Sequence, residues 1–574
     1  MNKKTVLRGA AATLLMTLAL PAGAQQTQFL SGNHCIYRID NRDKCLLLPV
    51  QEKAEMCNVK VVADNQQVKS LNIRLASNHI DYYVPLYIDN WADKSSLSLD
   101  IHVNGTYRTD GEIAGFTCWK NISTASEFDK SNREALRPSY HHTPAWGWMN
   151  DPNGMFYKDG VWHLYFQHNP YGSQWENMTW GHSTSTDLLH WTFEGEAVEP
   201  DAWGAIFSGS AVVDHNNTAG FGKDAVVAMY TTAAENQTQS MAYSTDNGAS
   251  FTKFAGNPVV TGSVPDFRDP HMFWNEDAKC WNMILAAGQQ MNIYSSTDLK
   301  SWNYESSFGS GYGCHDGVWE CPDLMKLKVR GTNKTKWMLI CNLNPGGPFG
   351  GSATQYFVGD FDGKKFTCES APEVTKWMDY GKDHYATVTF DNAPDGRHVA
   401  LAWMSNWQYA NQVPTMQYRS GNSIPRDLDL YEYKDETYCG VTPSPEVRAA
   451  RSSKATKQLT AACEVVLQLK GDATVTLSNA KGEKVVLTYD ASGETFSVDR
   501  TKSGATDFSD AFPAVTKAPT HGKLKEVSLF VDHCNLEVID AEGHMAMSNL
   551  VFPSTTYDRI AVSGKAKYSV YNIK

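Results

Sequence analysis

Residues 182–191 read HSTSTDLLHW, which is a short strand-forming run, a Ser/Thr-Asp turn and an aromatic residue. The same order recurs as AYSTDNGASF at residues 242–251 and as NIYSSTDLKSW at residues 292–302. A weaker fourth copy, YFVGDFDGKKF, occupies residues 356–366. A pattern repeated in this way predicts one supersecondary unit that recurs along the chain.

The marker aspartates of the copies are spaced 59, 52 and 64 residues apart; they are Asp187, Asp246, Asp298 and Asp362. Each interval holds three or four strand-like runs, the content of one blade of a β-propeller. Residues 136–445 therefore predict a five-bladed propeller, with a β-sandwich or β-helix as the alternative. We interpret the four turns as structural, since Asp bonds its own backbone in such turns.

Both flanks of the repeat also read as β structure, so the predicted fold class is all-β. Residues 25–130 predict a small N-terminal β domain with strands at 59–62, 68–75, 81–89 and 96–102;. A scaffold or a sugar-binding accessory role is expected for it. Residues 447–574 carry short, evenly spaced strands, among them 461–469 and 473–478, and predict a C-terminal β-sandwich;.

The N-terminus has the organisation of a cleavable signal peptide. Lys3, Lys4 and Arg8 precede an apolar run at residues 9–20, and an A-x-A cleavage site lies at residues 22–24;. Residues 1–24 are therefore expected to be removed on export to the periplasm or the medium. The run is too short for a membrane span and no second candidate follows it.

Charge and composition restrict the partners. The formal net charge of −12 makes nucleic acid and anionic membranes poor candidates, and a neutral substrate fits better;. We expect a monomer and no cofactor. The 12 cysteines show no zinc spacing, and the adjacent His141 and His142 would point to opposite sides of a strand, so no metal site is predicted;. Export permits disulfides, with three possible pairings among Cys35, Cys45, Cys57 and Cys118;.

Three acids outside the repeated turns have unusual local sequences. Asp151 lies in the turn WMNDPNG, Asp269 in VPDFRDPHMFW, and Glu320 in HDGVWECPDL. Each has apolar or aromatic neighbours and is followed by Pro or Cys-Pro, which stiffens the backbone. They are 118 and 51 residues apart, so they fall in different blades, and a propeller can bring them together at one end of its channel. A structural ion pair, such as one between Asp269 and Arg268, is the alternative for each acid.

Two carboxyl groups in different environments suffice for glycoside hydrolysis, one ionised and one protonated. Glu320 follows Val318 and Trp319, and apolar neighbours favour its neutral form as the acid;. Asp151 is surrounded by turn amides and Asn150, which favours the charged form of a nucleophile;.

The motifs resemble glycoside hydrolase family 32, the β-fructofuranosidases. The opening H-x-x-P…MNDPNG signature is met by His141, Pro144 and residues 149–154, and F-S-G-S by residues 207–210. Y-F-Q-x-N-P is met at 165–170, R-D-P at 268–270, E-C-P at 320–322, and D-x-G-x-D-x-Y-A at 379–386. The resemblance covers residues 140–445 and implies a five-bladed propeller followed by a β-sandwich.

The resemblance also implies roles. Asp151 would be the nucleophile, Glu320 the acid/base, and Asp269 a transition-state stabiliser that binds fructose hydroxyls. The terminal fructose would be lined by Asn150, Gln167, Trp175, Phe207, Ser208 and Arg268, with Trp148, Tyr385 and Trp403 as further candidates for the pocket wall. Trp148 could instead pack against the turn.

Several alternatives stay open at this point. A non-catalytic, lectin-like propeller would have no reason to keep three acids in these settings, and a sialidase would need an arginine cluster that the sequence does not display. Within the fructosidase interpretation, sucrose, inulin and levan all present the same terminal fructose. Exo-action on exported fructan is favoured over endo-action or fructosyl transfer, and loops 309–316 and 344–351 are expected to select the substrate.

Overall fold

The computed structural model describes residues 26–40, 43–105, 110–131 and 133–574. The expected signal peptide, residues 1–24, lies outside them. The regular secondary structure of the described chain is almost entirely β-strand, as predicted, and the chain divides after Asp129 into two compact units. No helix within the described residues is long and apolar enough to cross a membrane.

The N-terminal unit contains two antiparallel sheets, ordered β1-β2-β7-β4-β5 and β6-β3-β8. Strands β4 to β7 were predicted from the sequence, whereas β1 to β3 and β8 were not. One α-helix, α1 (Asp110–Ala114), and 3-10 turns at Asp89–Trp91 and Thr117–Lys120 complete the unit. The strands are β1 Thr27–Ser31, β2 His34–Arg38, β3 Cys45–Val50, β4 Cys57–Ala63, β5 Gln66–Ile73, β6 Tyr82–Tyr87, β7 Leu97–Val103 and β8 Ser123–Ala125.

The disulfide expected in this unit is not formed. All 12 cysteines of the chain lie among the described residues and all are free thiols. Cys45 belongs to the second sheet, where its Sγ donates to the carbonyl oxygen of Ala125 at 3.3 Å. Burial raises the pKa of Cys35 and of Cys57 to about 12, so both stay protonated and unreactive;.

The second unit contains five antiparallel sheets in succession, which confirms the predicted five blades. The innermost strand of each blade contacts the next in ring order, β9, β13, β18, β22, β27 and back to β9. The short strand β29 pairs in parallel with β9 and joins the last blade to the first. The strands of the first two blades are β9 Gly147–Lys158, β10 Val161–Asn169, β11 Thr179–Ser185 and β12 Thr192–Val198, then β13 Ala205–Asp214, β14 Ala225–Ala233, β15 Gln237–Ser244, β16 Thr252–Lys253 and β17 Val260–Thr261.

The remaining blades repeat the same meander. Short 3-10 turns occur in the fifth blade at Pro394–Gly396 and Ala410–Gln412. The strands are β18 Phe267–Asn275, β19 Cys280–Ala287, β20 Met291–Ser296 and β21 Asn303–Phe308; β22 Val318–Lys328, β23 Thr335–Asn344, β24 Ala353–Phe361, β25 Phe366–Cys368 and β26 Lys376–Trp377; and β27 Tyr385–Thr389, β28 Val399–Trp403, β29 Tyr418–Arg419, β30 Arg426–Tyr433 and β31 Glu436–Pro443.

The repeated turns connect the third and fourth strands of blades one to four, and they are structural as interpreted. Asp187 Oδ1 accepts hydrogen bonds from the backbone N–H groups of Leu189 and His190 at 3.0 and 2.8 Å. Asp298 does the same with Lys300 and Ser301 at 2.9 and 2.7 Å. The predicted D-G hairpin between β9 and β10 is also present, with φ of 52° at Asp159 and 87° at Gly160;.

Apolar side chains fill the spaces between neighbouring blades. Phe156, Trp180 and Ile206 pack between the first two blades, and Trp148, Tyr385 and Leu401 close the ring between the first and the last. Each blade therefore buries both faces against its neighbours, which explains why the second strand of a blade, such as β14 with the sequence AVVAMYTTA, is buried along almost its whole length;.

The C-terminal domain begins after the short helix α2 (Pro445–Ala449) and is a β-sandwich, as predicted. On one side of β32, the first half of the strand pairs with β36 and the second half pairs with β33. On the other side, β32 pairs with β39, with a register break between Leu469 and Ala473 of β32. This break folds one sheet into two layers around a shared core. The strands are β32 Ala462–Ser478, β33 Lys484–Asp490, β34 Thr495–Lys502, β35 Val515–Pro519, β36 Glu526–Asp532, β37 Asn535–Asp540, β38 Ala546–Leu550 and β39 Arg559–Asn572.

Buried charges join the propeller to the sandwich. His141 Nδ1 lies 2.8 Å from Asp532 and Nε2 lies 2.8 Å from Glu537, and all three side chains are 0% exposed. Arg426 pairs with Glu537 and, at 2.8 Å, with Asp379. Two imidazole nitrogens that both face carboxylates must both donate, so His141 is protonated.

Arg500 and the second aspartate of the D-x-G-x-D-x-Y-A motif form a similar contact. Arg500 Nη1 lies 2.5 Å from Asp383 Oδ2, with both side chains 0% exposed. Asp383 Oδ2 also accepts from the backbone N–H of Leu550 at 2.7 Å. The acids of this motif and His141 of the opening motif thus stabilise the interface between domains, whereas Tyr385 of the same motif faces the channel.

We predict that His141 makes stability pH-dependent. Burial lowers the pKa of His141, but hydrogen bonds and charges of Asp532 and Glu537 outweigh it and raise the pKa to about 9. The unfolded value is about 6.5, so this contribution is fully present below about pH 6.5 and is lost as the pH rises towards 9;. It is on the order of 3 kcal/mol.

The measurement is the free energy of unfolding by urea for the wild type and for His141→Gln at the two ends of that pH range. The difference between them should be large at the acidic end and shrink towards the alkaline end. His190→Gln is the matched control, because His190 also pairs with an aspartate but is 60% exposed. An equal difference at both ends would contradict the assignment.

Candidate active site

A cavity of about 400 Å³ opens at one mouth of the propeller channel. The first residues of all five innermost strands reach it, because these strands run through the channel in the same direction. It is lined by Asn150, Asp151, Gln167, Trp175, Phe207, Ser208, Gln237, Arg268, Asp269, Glu320, Asn344, Tyr385 and Trp407.

Every innermost strand contains a β-bulge at this mouth. In β9, Asn150 and Asp151 together lie opposite Gln167 alone, because the register shifts between Met149 and Pro152. A bulge redirects side chains that a regular strand would point alternately to its two faces. The corresponding pairs in the other four strands are Phe207–Ser208, Asp269–Pro270, Cys321–Pro322 and Ala386–Thr387.

The bulges require unusual backbone geometry. Asp269, Cys321 and Ala386 have φ of 67°, 41° and 53°, in the left-handed region that costs a non-glycine residue about 1–3 kcal/mol;. Pro270 and Pro322 lie where the ladder is broken, so their missing N–H removes no pairing bond;. A Cβ at Gly209 would lie 2.0 Å from the carbonyl oxygen of Met229, which explains the glycine in F-S-G-S.

Asp151 is surrounded by hydrogen-bond donors. Asn150 Nδ2 donates to Oδ1 at 2.9 Å, while Ser208 Oγ and Cys321 Sγ donate to Oδ2 at 2.6 and 3.3 Å. The amide of Asn150 is fixed in turn by Trp148, whose Nε1 donates to Oδ1 at 2.8 Å. Three donors converging on one carboxyl group suit an ionised carboxylate.

Glu320 has one cationic and one neutral partner. Arg268 donates to Oε1 through Nε at 3.1 Å and Nη2 at 2.8 Å, and the hydroxyl of Tyr385 donates to Oε2. The same guanidinium group contacts Asp266 at 2.5 Å and Gln237 at 3.2 Å. Arg268 therefore fixes the position of Glu320, while Asp266 and Gln237 hold the guanidinium group itself.

Asp269 is the most buried of the three acids, with a side chain 5% exposed. The backbone N–H of Cys321 donates to its Oδ2 at 2.9 Å, and Arg268 Nε lies 4.0 Å from the same oxygen. Burial raises the pKa of Asp269; Arg268 lowers it, and the carboxylates of Glu320 and Asp151 raise it further, to about 7. Glu320 and Asp269 thus share the guanidinium group of Arg268, whereas Asp151 is held by neutral donors.

Aromatic side chains form part of the cavity wall. Trp175 is 40% exposed, and its ring centroid lies 6.1 Å from that of Phe207 at an angle of 68°. Gln167 is buried beneath them and donates to Asn153 at 2.8 Å. An exposed tryptophan beside buried polar groups offers an apolar face and hydrogen-bonding groups to the same ligand.

Trp148 and Trp403 do not line the cavity, contrary to expectation. Both are 0% exposed and belong to the apolar cluster between the first and last blades. Trp407 occupies the wall instead and stacks on Trp148, with ring centroids 5.7 Å apart. Trp148 acts on Asp151 indirectly, because its indole N–H holds the amide of Asn150, which donates to Asp151.

Four residues that contribute to the site were not predicted as site residues from the sequence. Cys321 had a signal, since it lies inside E-C-P, and its thiol also lies 3.5 Å from Asp269 Oδ2. Asn344 begins the glycine-rich loop expected to approach the pocket. The sequence around Gln237 and Trp407 contains no motif that would have predicted their place in the cavity wall. Among the described residues, the group close enough together to hold a metal ion is His34, Asp100 and His102, all in the N-terminal unit.

Known proteins resemble the chain throughout the second unit. It is 44% identical to the levanase of Bacillus subtilis over 453 residues, covering 73% of this chain and 67% of that protein. It is 36% identical to the extracellular exo-inulinase of Aspergillus niger over 511 residues, covering 77% and 95%. The crystal structure of exo-inulinase from Aspergillus awamori superposes with a TM-score of 0.72 at 33% identity, covering 78% of this chain and 99% of that one.

The segments of the chain that match known families correspond to the domains of the structure. Residues 31–140 match a domain of unknown function, DUF4980. Residues 141–439, the propeller, match the N-terminal domain of glycosyl hydrolases family 32, and residues 433–574 match the C-terminal domain of that family. With both domains present and the acids of its motifs gathered in one cavity, the chain belongs to glycosyl hydrolase family 32.

Proposed function

We propose that the protein is a retaining glycosidase that releases terminal β-D-fructose from fructans and fructo-oligosaccharides, with sucrose as a further candidate substrate. The observation that carries this proposal is the convergence of Asp151, Glu320 and Asp269 on one cavity around Arg268. The relatives support the substrate class, since they include a levanase and an exo-inulinase.

In the first step, Glu320 protonates the glycosidic oxygen while Asp151 attacks the anomeric C2 of fructose from the opposite face. The C2–O bond breaks, the leaving group departs as an alcohol, and a fructosyl-enzyme ester forms on Asp151. Asn150, Ser208 and Cys321 hold the attacking carboxylate in place. Its orientation is therefore set before the substrate binds, which lowers the entropic cost of attack.

In the second step, Glu320 takes a proton from water, and the resulting nucleophile attacks C2 and releases Asp151. Two displacements at the same carbon retain the configuration. Tyr385 and Arg268 contact different oxygens of Glu320, so the carboxyl group keeps its position as it gains and loses its proton.

Asp269 is assigned to binding the hydroxyl groups of fructose. Its burial and its pKa of about 7 leave both protonation states accessible near neutrality. A carboxyl group in that range can accept a hydrogen bond from one hydroxyl or donate one to another. Such bonds strengthen as charge develops on the sugar in the transition state.

The depth of the acids favours action on chain ends. Asp269 and Glu320 have side chains only 5% and 19% exposed, so the reacting sugar has to enter the channel mouth. A terminal unit can do so more readily than an internal one. Trp175, 40% exposed at the wall, offers a stacking surface to that sugar.

We also propose that the protein is exported through residues 1–24, because this stretch has the n-region, apolar core and cleavage site of a signal peptide;. The exo-inulinase relative is extracellular by description. We propose a monomeric catalytic unit, since blades of a single propeller supply all three acids of the cavity.

Product analysis tests the function. Incubation with sucrose, inulin and levan side by side should release fructose as the sole product from at least one polymer, measured by chromatography over time. A ladder of oligosaccharides would overturn exo-action, and no release from any of the three would overturn the proposed function. The preferred polymer also gives the linkage preference.

The two catalytic roles are separable by chemical rescue. Glu320→Ala should process β-fructosyl fluoride, whose leaving group needs no proton, and azide should accelerate turnover and yield fructosyl azide of retained configuration. Asp151→Asn is the control and should stay inactive with and without azide, although it folds normally by circular dichroism. Azide product of inverted configuration from Glu320→Ala would contradict the assignment.

The thiol of Cys321 should contribute to turnover. Cys321→Ala removes a donor to Asp151 and to Asp269, and loss of one such bond should lower kcat roughly tenfold with little change in KM;. Cys321→Ser should recover part of the loss because a hydroxyl group also donates. Cys439→Ala is the matched control, since that buried thiol points to the backbone carbonyl of Gly440. Equal kinetics for both alanine variants would contradict the role of Cys321.

A further inference from the structure

Three metal-ligating side chains share one face of the first sheet in the N-terminal unit. His34 on β2 lies directly opposite His102 on β7, and Asp100 precedes His102 by two residues on the same strand. Because side chains alternate along a strand, His34, Asp100 and His102 point to the same side. His34 is far from the other two in sequence, so no sequence motif marks the group.

Their ligand atoms lie close together. His34 Nε2 is 2.8 Å and His102 Nδ1 is 3.5 Å from the same oxygen, Asp100 Oδ1, and all three ligand atoms lie within 4.8 Å of one another. Donors that share a zinc ion at about 2.0–2.2 Å in tetrahedral geometry are separated by roughly 3.4 Å. The two rings are stacked, with planes 18° from parallel, so one ring has to rotate out of the stack before the in-plane lone pairs of both can point to one ion.

The backbone beneath the group is rigid. The alternate residues of the same strands, Cys35, Ile101 and Val103, are 0–1% exposed on the opposite face of the sheet. On the ligand side, exposures of 24%, 18% and 46% for His34, Asp100 and His102 leave the group open to an ion from solvent and leave room for a ring to rotate. Because the backbone of the paired strands is already fixed, binding an ion orders only side chains.

We propose that His34, Asp100 and His102 bind one divalent transition-metal ion of the zinc class. Two imidazoles and one carboxylate suit Zn²⁺, Ni²⁺ or Cu²⁺ far better than Ca²⁺ or Mg²⁺, which prefer oxygen ligands. Three protein ligands leave at least one coordination position to water. The bound ion links β2 to β7 through side chains and stabilises the folded unit by mass action. This site is independent of the glycosidase activity.

The sequence predicted no metal site, because neither the cysteines nor the adjacent His141 and His142 had chelating spacing. The reason for the difference is long-range pairing: β2 and β7 are neighbours only in the folded sheet. Lys60 lies opposite Asp100 on the adjacent strand β4 and is the nearest cationic residue by register. Lys60→Gln should therefore preserve the ligands and tighten binding.

Calorimetric titration of the untagged full-length protein, stripped with a chelator, with ZnCl₂ alone tests the proposal. We expect one ion per chain. His34→Gln, His102→Gln and Asp100→Asn should each weaken binding by more than the roughly 10–100-fold that loss of an outer-shell partner causes. His79→Gln is the matched control, because His79 Nε2 lies 3.1 Å from a single aspartate, Asp81, in the same unit.

A second readout separates ligand loss from misfolding. In the Cu²⁺-loaded protein, electron paramagnetic resonance should show coupling to two imidazole nitrogens, reduced to one in either histidine variant, while each variant keeps its cooperative thermal transition. Absence of Zn²⁺ binding, or binding that survives in the His34→Gln and His102→Gln variants as in His79→Gln, would overturn the proposal.

Discussion

A β-bulge at the same end of each innermost strand is the constraint on which the active site depends. In a regular strand, neighbouring side chains point to opposite faces, towards one blade and then the next. The bulges at Asp151, Ser208, Asp269, Cys321 and Ala386 interrupt that alternation at the channel mouth. Five strands with unrelated sequences can therefore aim functional groups at one point.

The second constraint is electrostatic. Three carboxyl groups around one cavity repel each other, and burial penalises their charges further. Arg268 offsets this by contacting Glu320 and lying 4.0 Å from Asp269, while Asp151 relies on neutral donors. The acids thereby receive different environments: a cation and a phenol for Glu320, an amide, a hydroxyl and a thiol for Asp151, and burial for Asp269. Different environments are what separate a proton donor from a nucleophile.

Much of the fold followed from local sequence. The spacing of Asp187, Asp246 and Asp298 predicted the blades, because a hairpin turn depends on residues within a few positions of one another. The prolines after Asp269 and Cys321 were expected to stiffen the backbone, and both lie at bulges of the innermost strands. The long strand β32 was predicted as two, at 461–469 and 473–478, because its bulge looks like a turn in sequence.

The predictions that failed concern contacts between residues that are distant in the sequence. Trp148 and Trp403 were expected in the pocket wall, but a tryptophan in a buried strand packs between blades as readily as it faces the channel. Gln237 reaches the cavity only because β15 begins beside Arg268, and His34 meets His102 only through the order of the sheet. The cysteines seemed suited to a disulfide, yet Cys45 belongs to a different sheet from Cys35 and Cys57. Such juxtapositions are set by topology rather than by neighbouring residues.

The central claim is that the bulge in β9 presents Asp151 as the group that becomes covalently attached to the sugar. The most direct test is to trap the intermediate with a slowly hydrolysed, fluorinated fructosyl substrate, followed by mass spectrometry of the intact chain and of its peptides. The account predicts a single added sugar unit, located on the peptide that contains Asp151. A sugar attached to Glu320 or Asp269 under conditions in which the substrate is turned over would contradict it.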